Sequence, residues 1–221
     1  MSAPRFGALS DIRIIDLTQM LAGPYGTMML ADQGAEVIKV ESPEGDMSRA
    51  AAGRAQAAGE RKLSGYFQSI GRNKDSVVLD LKTQGGVRAL KALVRDADAV
   101  VENFRPGVMD RLGLGWDVLR AINPRLVYCS VPAYSRDGEF ADRTGFDPIV
   151  QAESGFISMN GYADREGVRA LSPVMDMGTS LMVCNTVLAA LMARHHTGAG
   201  QYCEVALFDS AIAMTAHAPM Q

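Results

Sequence analysis

Residues 12–17 (IRIIDL) form a short β-branched run, followed by Ala22-Gly23-Pro24 and an apolar, methionine-rich stretch of helical length over residues 25–32. The order reads as strand, turn and helix. Gly34 stops the helix, and residues 36–41 (EVIKVE) return as a strand with Val37, Ile38 and Val40 apolar, which completes one βαβ unit. The pattern recurs. Residues 76–81 (SVVLDL) predict a strand, residues 84–97 a helix with Val87, Leu90, Leu93 and Val94 on one face, and residues 99–103 the returning strand. A third round predicts a helix over 116–122, a break at Asn123-Pro124 and a strand over 126–131 (LVYCSV). Strands alternating with helices imply an α/β fold with a parallel sheet and right-handed crossovers.

Residues 42–69 are rich in Ala, Gly, Arg and Glu without period and read as a loop on the sheet's edge. Residues 147–159 and 178–196 predict helices, the second long and apolar with Leu181, Val187, Leu188 and Leu191 mostly inward. Residues 202–208 (YCEVALF) alternate like a strand, and helix resumes at Ser210. The apolar pattern still runs at Gln221 with no cap, so more chain or a partner is expected beyond it. The expected division is a large domain over 1–200, and over 201–221 a strand and the start of a helix leading toward a small domain.

Among 221 residues, 48% are hydrophobic, 21% charged and 6% aromatic, which excludes a disordered tail, a collagenous repeat and a coiled coil. Basic and acidic residues number 22 and 25, a net charge of −3, so nothing draws the whole surface to nucleic acid or an anionic membrane. Cys129, Cys184 and Cys203 are widely spaced with no C-x-x-C pair, so neither a disulfide framework nor a zinc site is indicated. A reducing cytoplasm is the expected compartment. Residues 1–11 hold no apolar leader, and the apolar stretch 181–192 is interrupted by Cys184-Asn185-Thr186 and falls short of the ~20 residues a spanning helix needs.

A dinucleotide fingerprint requires G-x-G-x-x-G directly after the first strand. Here Ala22-Gly23-Pro24-Tyr25-Gly26 has the wrong glycine spacing, and Pro24 removes an amide that would meet phosphate, so NAD is not expected. No P-loop motif occurs. His195 and His196 are adjacent at a helix end, where they do not share a face, and no metal site is expected; they read as cations complementing the helix dipole. His217 falls in the terminal run. Ser130 and Ser180 lack a nucleophile-elbow motif, and Cys184 inside an apolar helix reads as a small hydrophobe. Asp176, in residues 171–180 (LSPVMDMGTS), has two readings. Its carboxylate could cap the long helix, or it could stay ionised under the helix dipole and face an acyl carbonyl as a nucleophile.

Several ordered blocks resemble the class III CoA-transferases, the group that includes formyl-CoA transferase and α-methylacyl-CoA racemase. They are Asp16-Leu17-Thr18 with Ala22-Gly23-Pro24, the run from Gly34 to Glu41, Asn73-Lys74 with Leu79-Asp80-Leu81-Lys82, and Val101 through Gly107 with Arg111-Leu112-Gly113. Gly145-Phe146-Asp147 with Gln151-Ala152 and Ser154-Gly155, Asp176 with Gly178, and Arg194-His195 through Thr197-Gly198 and Gly200-Gln201 to Asp209 continue the match. The resemblance implies a Rossmann-like large domain and two subunits interlocked as a homodimer. Family chains continue into a small domain, so this chain is expected to be an N-terminal portion.

The resemblance puts the family nucleophile on Asp176, whose carboxylate would take the acyl group of an acyl-CoA as a mixed anhydride and pass through an aspartyl-CoA thioester to a carboxylic acid acceptor. CoA is then a substrate, and no permanent cofactor is implied. Its contacts carry over to Met20, Leu21 and Ala22, to Leu79, Asp80, Leu81 and Lys82, to Asn103, Phe104, Arg105 and Arg111, and to Thr144, Gly145, Phe146 and Asp147. Lys82 and Arg111 suit the nucleotide phosphates. Ser42 and Thr144 stand where formyl-CoA transferase has basic residues, with Arg49 or Arg143 as candidate replacements. Leu21 stands in place of a glutamine near the acyl group, and no tryptophan follows Gly45-Asp46-Met47, which favours a more apolar acyl chain over oxalate or formyl. Phe146 stands where the racemases have a histidine, and phenylalanine exchanges no proton, so transferase is preferred over racemase. A CoA-binding chain that is silent without a partner is the third reading.

Overall fold

The computed structural model describes residues 6–49 and 64–216. Its sheet begins with β1 (Arg13–Asp16), crosses through α1 (Ala22–Asp32) to β2 (Glu36–Glu41), and continues through α2 (Gly65–Gly71) to β3 (Lys74–Val78). Next come α3 (Gln84–Arg95), β4 (Ala99–Glu102), α4 (Val108–Arg111), α5 (Trp116–Ile122) and β5 (Val127–Ser130). The chain then passes through α6 (Asp147–Glu153), α7 (Phe156–Met159) and α8 (Val174–Thr197) to β6 (Gln201–Glu204) and α9 (Leu207–Thr215). The six strands pair in the order β3-β2-β1-β4-β5-β6, all parallel, which is a Rossmann-like sheet.

Strand alternation sorts the core into two layers. Ile14, Val37, Ala99, Val101, Val127 and Cys129 face α1 and α8, where Leu30, Val183, Val187 and Leu191 cover them. Ile15, Ile38, Val100 and Tyr128 face the other way, onto Leu90 and Val94 of α3, Met109 of α4 and Leu119 of α5. The α3 helix starts where the Thr83 hydroxyl accepts the Gly86 amide at 3.0 Å, and its amphipathic face follows the expected spacing. At 24 residues α8 is long and apolar enough by composition to cross a bilayer, more than the 181–192 stretch suggested, but here Val183, Val187 and Ala190 are buried under α1 and the sheet.

Several elements differ from the sequence expectation. The turn expected at Ala22-Gly23-Pro24 is the first turn of α1, where Pro24 is tolerated because first-turn amides have no intrahelical acceptor, and the short α4 was not expected. The strand expected over 76–81 begins at Lys74, because the ladder with β2 starts at Val37 opposite Lys74 and the Lys74 ammonium is buried against Asp16 at 2.8 Å. Leu79 and Leu81 lie just past the strand and pack only partly buried. The helix expected over 147–159 breaks at Gly155, whose φ of +80° leaves the helical region. The long helix begins at Val174, four residues early, because an external carboxylate caps it. The strand expected over 202–208 runs Gln201–Glu204, and Val205, Ala206 and Leu207 instead bury themselves at the turn into α9. Within 42–69, a 3-10 turn (Met47–Arg49) and the start of α2 stand where only loop was expected, and residues 50–63 lie outside the described residues, as does His217.

Gly26 sets how closely α1 and α8 approach: a Cβ there would lie 2.9 Å from Val183 Cγ1 and 3.0 Å from the Ser180 carbonyl oxygen. Gly26→Val therefore forces the helices apart and destabilises the protein by about 1–3 kcal/mol, measured by urea unfolding; an unchanged midpoint would contradict this packing.

Candidate active site

The first turn of a helix leaves amides without intrahelical partners, and in α8 the capping position is Pro173, which brings no side-chain acceptor. The missing acceptor is Asp147. Its Oδ2 accepts the Met175 amide at 2.8 Å and the Asp176 amide at 3.1 Å, across 28 and 29 residues of sequence. Asp147 Oδ1 accepts from Gln151 Nε2, and Gln151 Oε1 in turn accepts the Ala170 amide at 2.9 Å, so Asp147 is locked in place at 3% exposure. The capping role open to Asp176 in the sequence thus belongs to Asp147, which the resemblance had placed among the CoA contacts.

Asp176 is left free to point elsewhere. Its side chain takes no hydrogen bond from any described residue and faces a cavity of about 360 Å³. Gln19, Met20, Leu21 and Ala22 line it from the end of β1, Val131 to Ala133 from the end of β5, and Phe146, Asp147 and Leu207 complete the far side. Burial, and then the negative charge of Asp147, push the Asp176 carboxyl up to about 7. Ser180 and Ser130 are spent on structural bonds, their hydroxyls donating to the Asp176 carbonyl at 2.7 Å and to Glu102 at 2.7 Å.

Tyr66, on α2, lines the same cavity and was not singled out in the sequence. Burial, followed by the charges of Asp176 and Asp46, pushes its hydroxyl up to about 12, so it stays a neutral donor beside the carboxylate. The readable signal for α2 was Ser64, whose hydroxyl accepts the Phe67 amide at 3.0 Å, with Phe67 and Ile70 three apart on the buried face.

The expected CoA contacts fall around three places, the first two of which adjoin. Met20, Leu21, Ala22, Gly145 and Phe146 lie at the Asp176 cavity. Phe104, Arg105 and Thr144 line a second pocket of about 240 Å³ that shares Asn103, Pro132, Ala133, Gly145 and Phe146 with the first. Leu81, Lys82 and Arg111 line a third cleft of about 370 Å³, together with Arg88. Leu79 and Asp80 line none of these; the Asp80 carboxylate instead accepts the Lys82 amide at 3.0 Å in the turn before α3. The Asn103 amide pairs with the Gln19 backbone, accepting the Gln19 amide at 2.9 Å and donating to the Gln19 carbonyl at 2.8 Å. Arg49 is engaged by Glu41 at 2.6 and 2.7 Å under the Phe67 ring, and Arg143 by Glu153 between Tyr134 and Phe140. Ser42 bonds Glu44, whose carboxyl is thereby held below the usual range, with a smaller contribution from Lys82. Phe146 is 63% exposed at the mouth of the site.

Two titrations follow. Asp147→Asn keeps an acceptor for α8 but removes the charge, so Asp176 titrates below about 7 in carboxyl-carbon NMR spectra. Because the folded pKa of Asp176 lies above that of an unfolded carboxyl, its contribution to stability is full below about pH 4 and is lost as pH rises through about 7. Asp176→Asn should then gain stability over wild type above pH 7 and lose that advantage toward pH 4, read by urea unfolding across pH.

The sequence model of CoA-transferase family III matches residues 9–221. A succinate–glutarate CoA-transferase from Agrobacterium fabrum is 41% identical over 96% of this chain and 54% of its own length. A succinyl-CoA:mesaconate CoA-transferase from Haloarcula hispanica is 42% identical over 94% of this chain and 54% of its own length. The chain spans about half the length of the curated relatives it matches. Among solved structures, a CaiB/BaiF family protein from Brucella suis superimposes with a TM-score of 0.93 at 37% identity, covering 97% of this chain and 57% of that one. The protein Rv3272 from M. tuberculosis gives 0.89 at 36% identity, covering 98% of this chain and 59% of that one. With the strand order, the cavity at the strand ends and the family match all covering the same residues, the chain belongs to CoA-transferase family III.

Proposed function

We propose that this chain is the catalytic portion of a CoA-transferase that moves CoA between carboxylic acids, with Asp176 as the nucleophile. The observation that carries the reading is a carboxylate in the first turn of α8 whose capping duty is performed by Asp147, leaving it unbonded among the described residues at an apolar cavity. The Asp176 carboxylate attacks the thioester carbonyl, the C–S bond breaks, and CoA thiolate leaves behind a mixed anhydride. The thiolate then attacks the aspartyl carbonyl, giving an aspartyl-CoA thioester and the free donor acid. The acceptor carboxylate repeats the two steps in reverse, which restores Asp176.

Each exchange trades one activated acyl group between carboxylates, so no external energy source is needed. An anhydride hydrolyses readily, and a cavity walled by Met20, Leu21, Val131, Pro132 and Leu207 suits the exclusion of water. A carboxyl with a pKa near 7 is a stronger nucleophile when ionised than an ordinary one and is still substantially ionised at neutral pH. The CoA chain would run from this cavity through the pocket at Phe104 and Thr144, with its phosphates toward Lys82 and Arg111. Leu21 favours an apolar acyl chain, and Phe146 offers no second base for racemisation.

Incubating the full-length protein with acyl-CoA and hydroxylamine should convert Asp176 to its hydroxamate, seen by peptide mass, and Asp176→Ala should abolish it. Unchanged CoA release in Asp176→Ala would reject the mechanism; α-deuterium wash-in would identify a racemase, and CoA binding without either reaction a silent binding chain. The rate constant kcat/KM for acylation should rise with pH and level off above about 7. Lys82→Ala should weaken CoA binding about two- to fivefold and leave pantetheine binding unchanged, by titration calorimetry.

A further inference from the structure

Below the cavity lies a buried cluster of four charges, Asp16, Lys39, Asp46 and Lys74, that has no part in the chemistry above. Lys74 Nζ bonds Asp16 Oδ2 at 2.8 Å, the Pro24 carbonyl at 2.7 Å and Thr27 Oγ1 at 2.9 Å, so its donors are consumed at the start of α1. Lys39 makes a different set of contacts. From the middle of β2 its ammonium donates to the Thr18 carbonyl at 2.7 Å and forms an ion pair with Asp46 Oδ2 at 2.7 Å. The two side chains of that pair are 3% and 1% exposed. A buried ammonium is retained only where its partners offset the lost hydration, and these two partners lead to two separate stretches of the cavity wall.

On one side, Thr18 continues directly into Gln19, Met20 and Leu21, all three in the cavity lining, with Met20 at a φ of +70°. A non-glycine residue in that conformation persists only where its surroundings hold it. On the other side, Asp46 Oδ1 accepts the Ser48 amide at 2.8 Å and its hydroxyl at 2.6 Å. The Ser48 carbonyl accepts the Ser64 hydroxyl at 2.6 Å, and Ser64 caps the helix that carries Tyr66 to Asp176.

From this geometry we infer that Lys39 is a positioning residue that couples the two walls of the Asp176 cavity, holding the Gln19–Met20–Leu21 turn and the Tyr66 helix in one relative placement. The inference rests on the reading of that cavity as the place of acyl transfer. Neutralising only Asp16 would not require Lys39 to reach Thr18 or Asp46, since Lys74 already bonds Asp16.

The test uses Lys39→Met combined with Asp46→Asn, which removes one charge of each sign and keeps the cluster balanced, in the full-length protein. Hydrogen exchange at residues 19–21 and 64–67 should accelerate at least tenfold together, while α3 and α5 on the far face of the sheet keep their protection. With acyl-CoA, kcat should fall at least tenfold and KM change by less than twofold, because the Lys82 and Arg111 cleft is untouched. Acceleration on one wall only, uniform acceleration across the sheet, or a kcat within twofold of wild type would each overturn the coupling. Should the double variant not fold, Asp46→Asn alone must loosen residues 64–67, leave residues 19–21 protected and lower kcat; wild-type exchange and kcat there would overturn it as well. If the wild-type protein gives no hydroxamate, the functional reading fails, and the exchange measurements still decide whether Lys39 couples the walls.

Discussion

The contact between the Asp147 carboxylate and the first amides of α8 governs the geometry of the whole site. A 24-residue helix brings a substantial dipole and several unpaired amides to its N-terminus, and Pro173 at the cap has no side-chain acceptor to offer them. Asp147 supplies both acceptor and charge from the start of α6, and Gln151 ties it to the backbone at Ala170. One buried group therefore joins α6, the segment before α8 and α8 itself. The same group leaves the Asp176 side chain unbonded among the described residues, and its charge, added to burial, keeps the proton there until near neutrality.

The sheet decides where this arrangement sits. In the order β3-β2-β1-β4-β5-β6 the connections leave β1 and β4 in opposite directions, and a crevice opens outside their C-terminal ends. The Asn103 amide closes the bottom of that crevice by pairing both backbone groups of Gln19. Buried ions lie directly beneath it, with Asp16 against Lys74 and Lys39 against Asp46. Such groups are costly to desolvate and are tolerated because each has a close partner of opposite sign. Their cost falls where precise placement of two loops matters to the cavity above them.

Charge elsewhere is committed in ways that alter the expected phosphate contacts. Arg49 and Arg143 each close on an acid and a ring, so neither is a freely offered cation. Lys82 and Arg111 remain exposed in one cleft with Arg88, which the sequence had not singled out.

Much of the architecture was legible in the sequence because it rests on local periodicity. The β2 strand and the α5 helix have the bounds their patterns predicted, and the alternation of strands with helices already implied the parallel sheet. The four-residue α4 was not legible, since one turn carries too little period to stand out, and α2 was missed because it follows directly on a stretch without period. Asp176 was visible as a candidate, but its role was divided between cap and nucleophile. Only the tertiary structure assigned the cap to Asp147, which lies 29 residues away and reaches α8 through folding rather than through sequence spacing. Likewise Lys39 reads as a polar residue between the apolar Ile38 and Val40 of a strand. Its meaning lies in two loops that meet it only once the sheet is assembled. Periodicity sets which segments become strands and helices; which side chains face one another across them is a property of long-range packing.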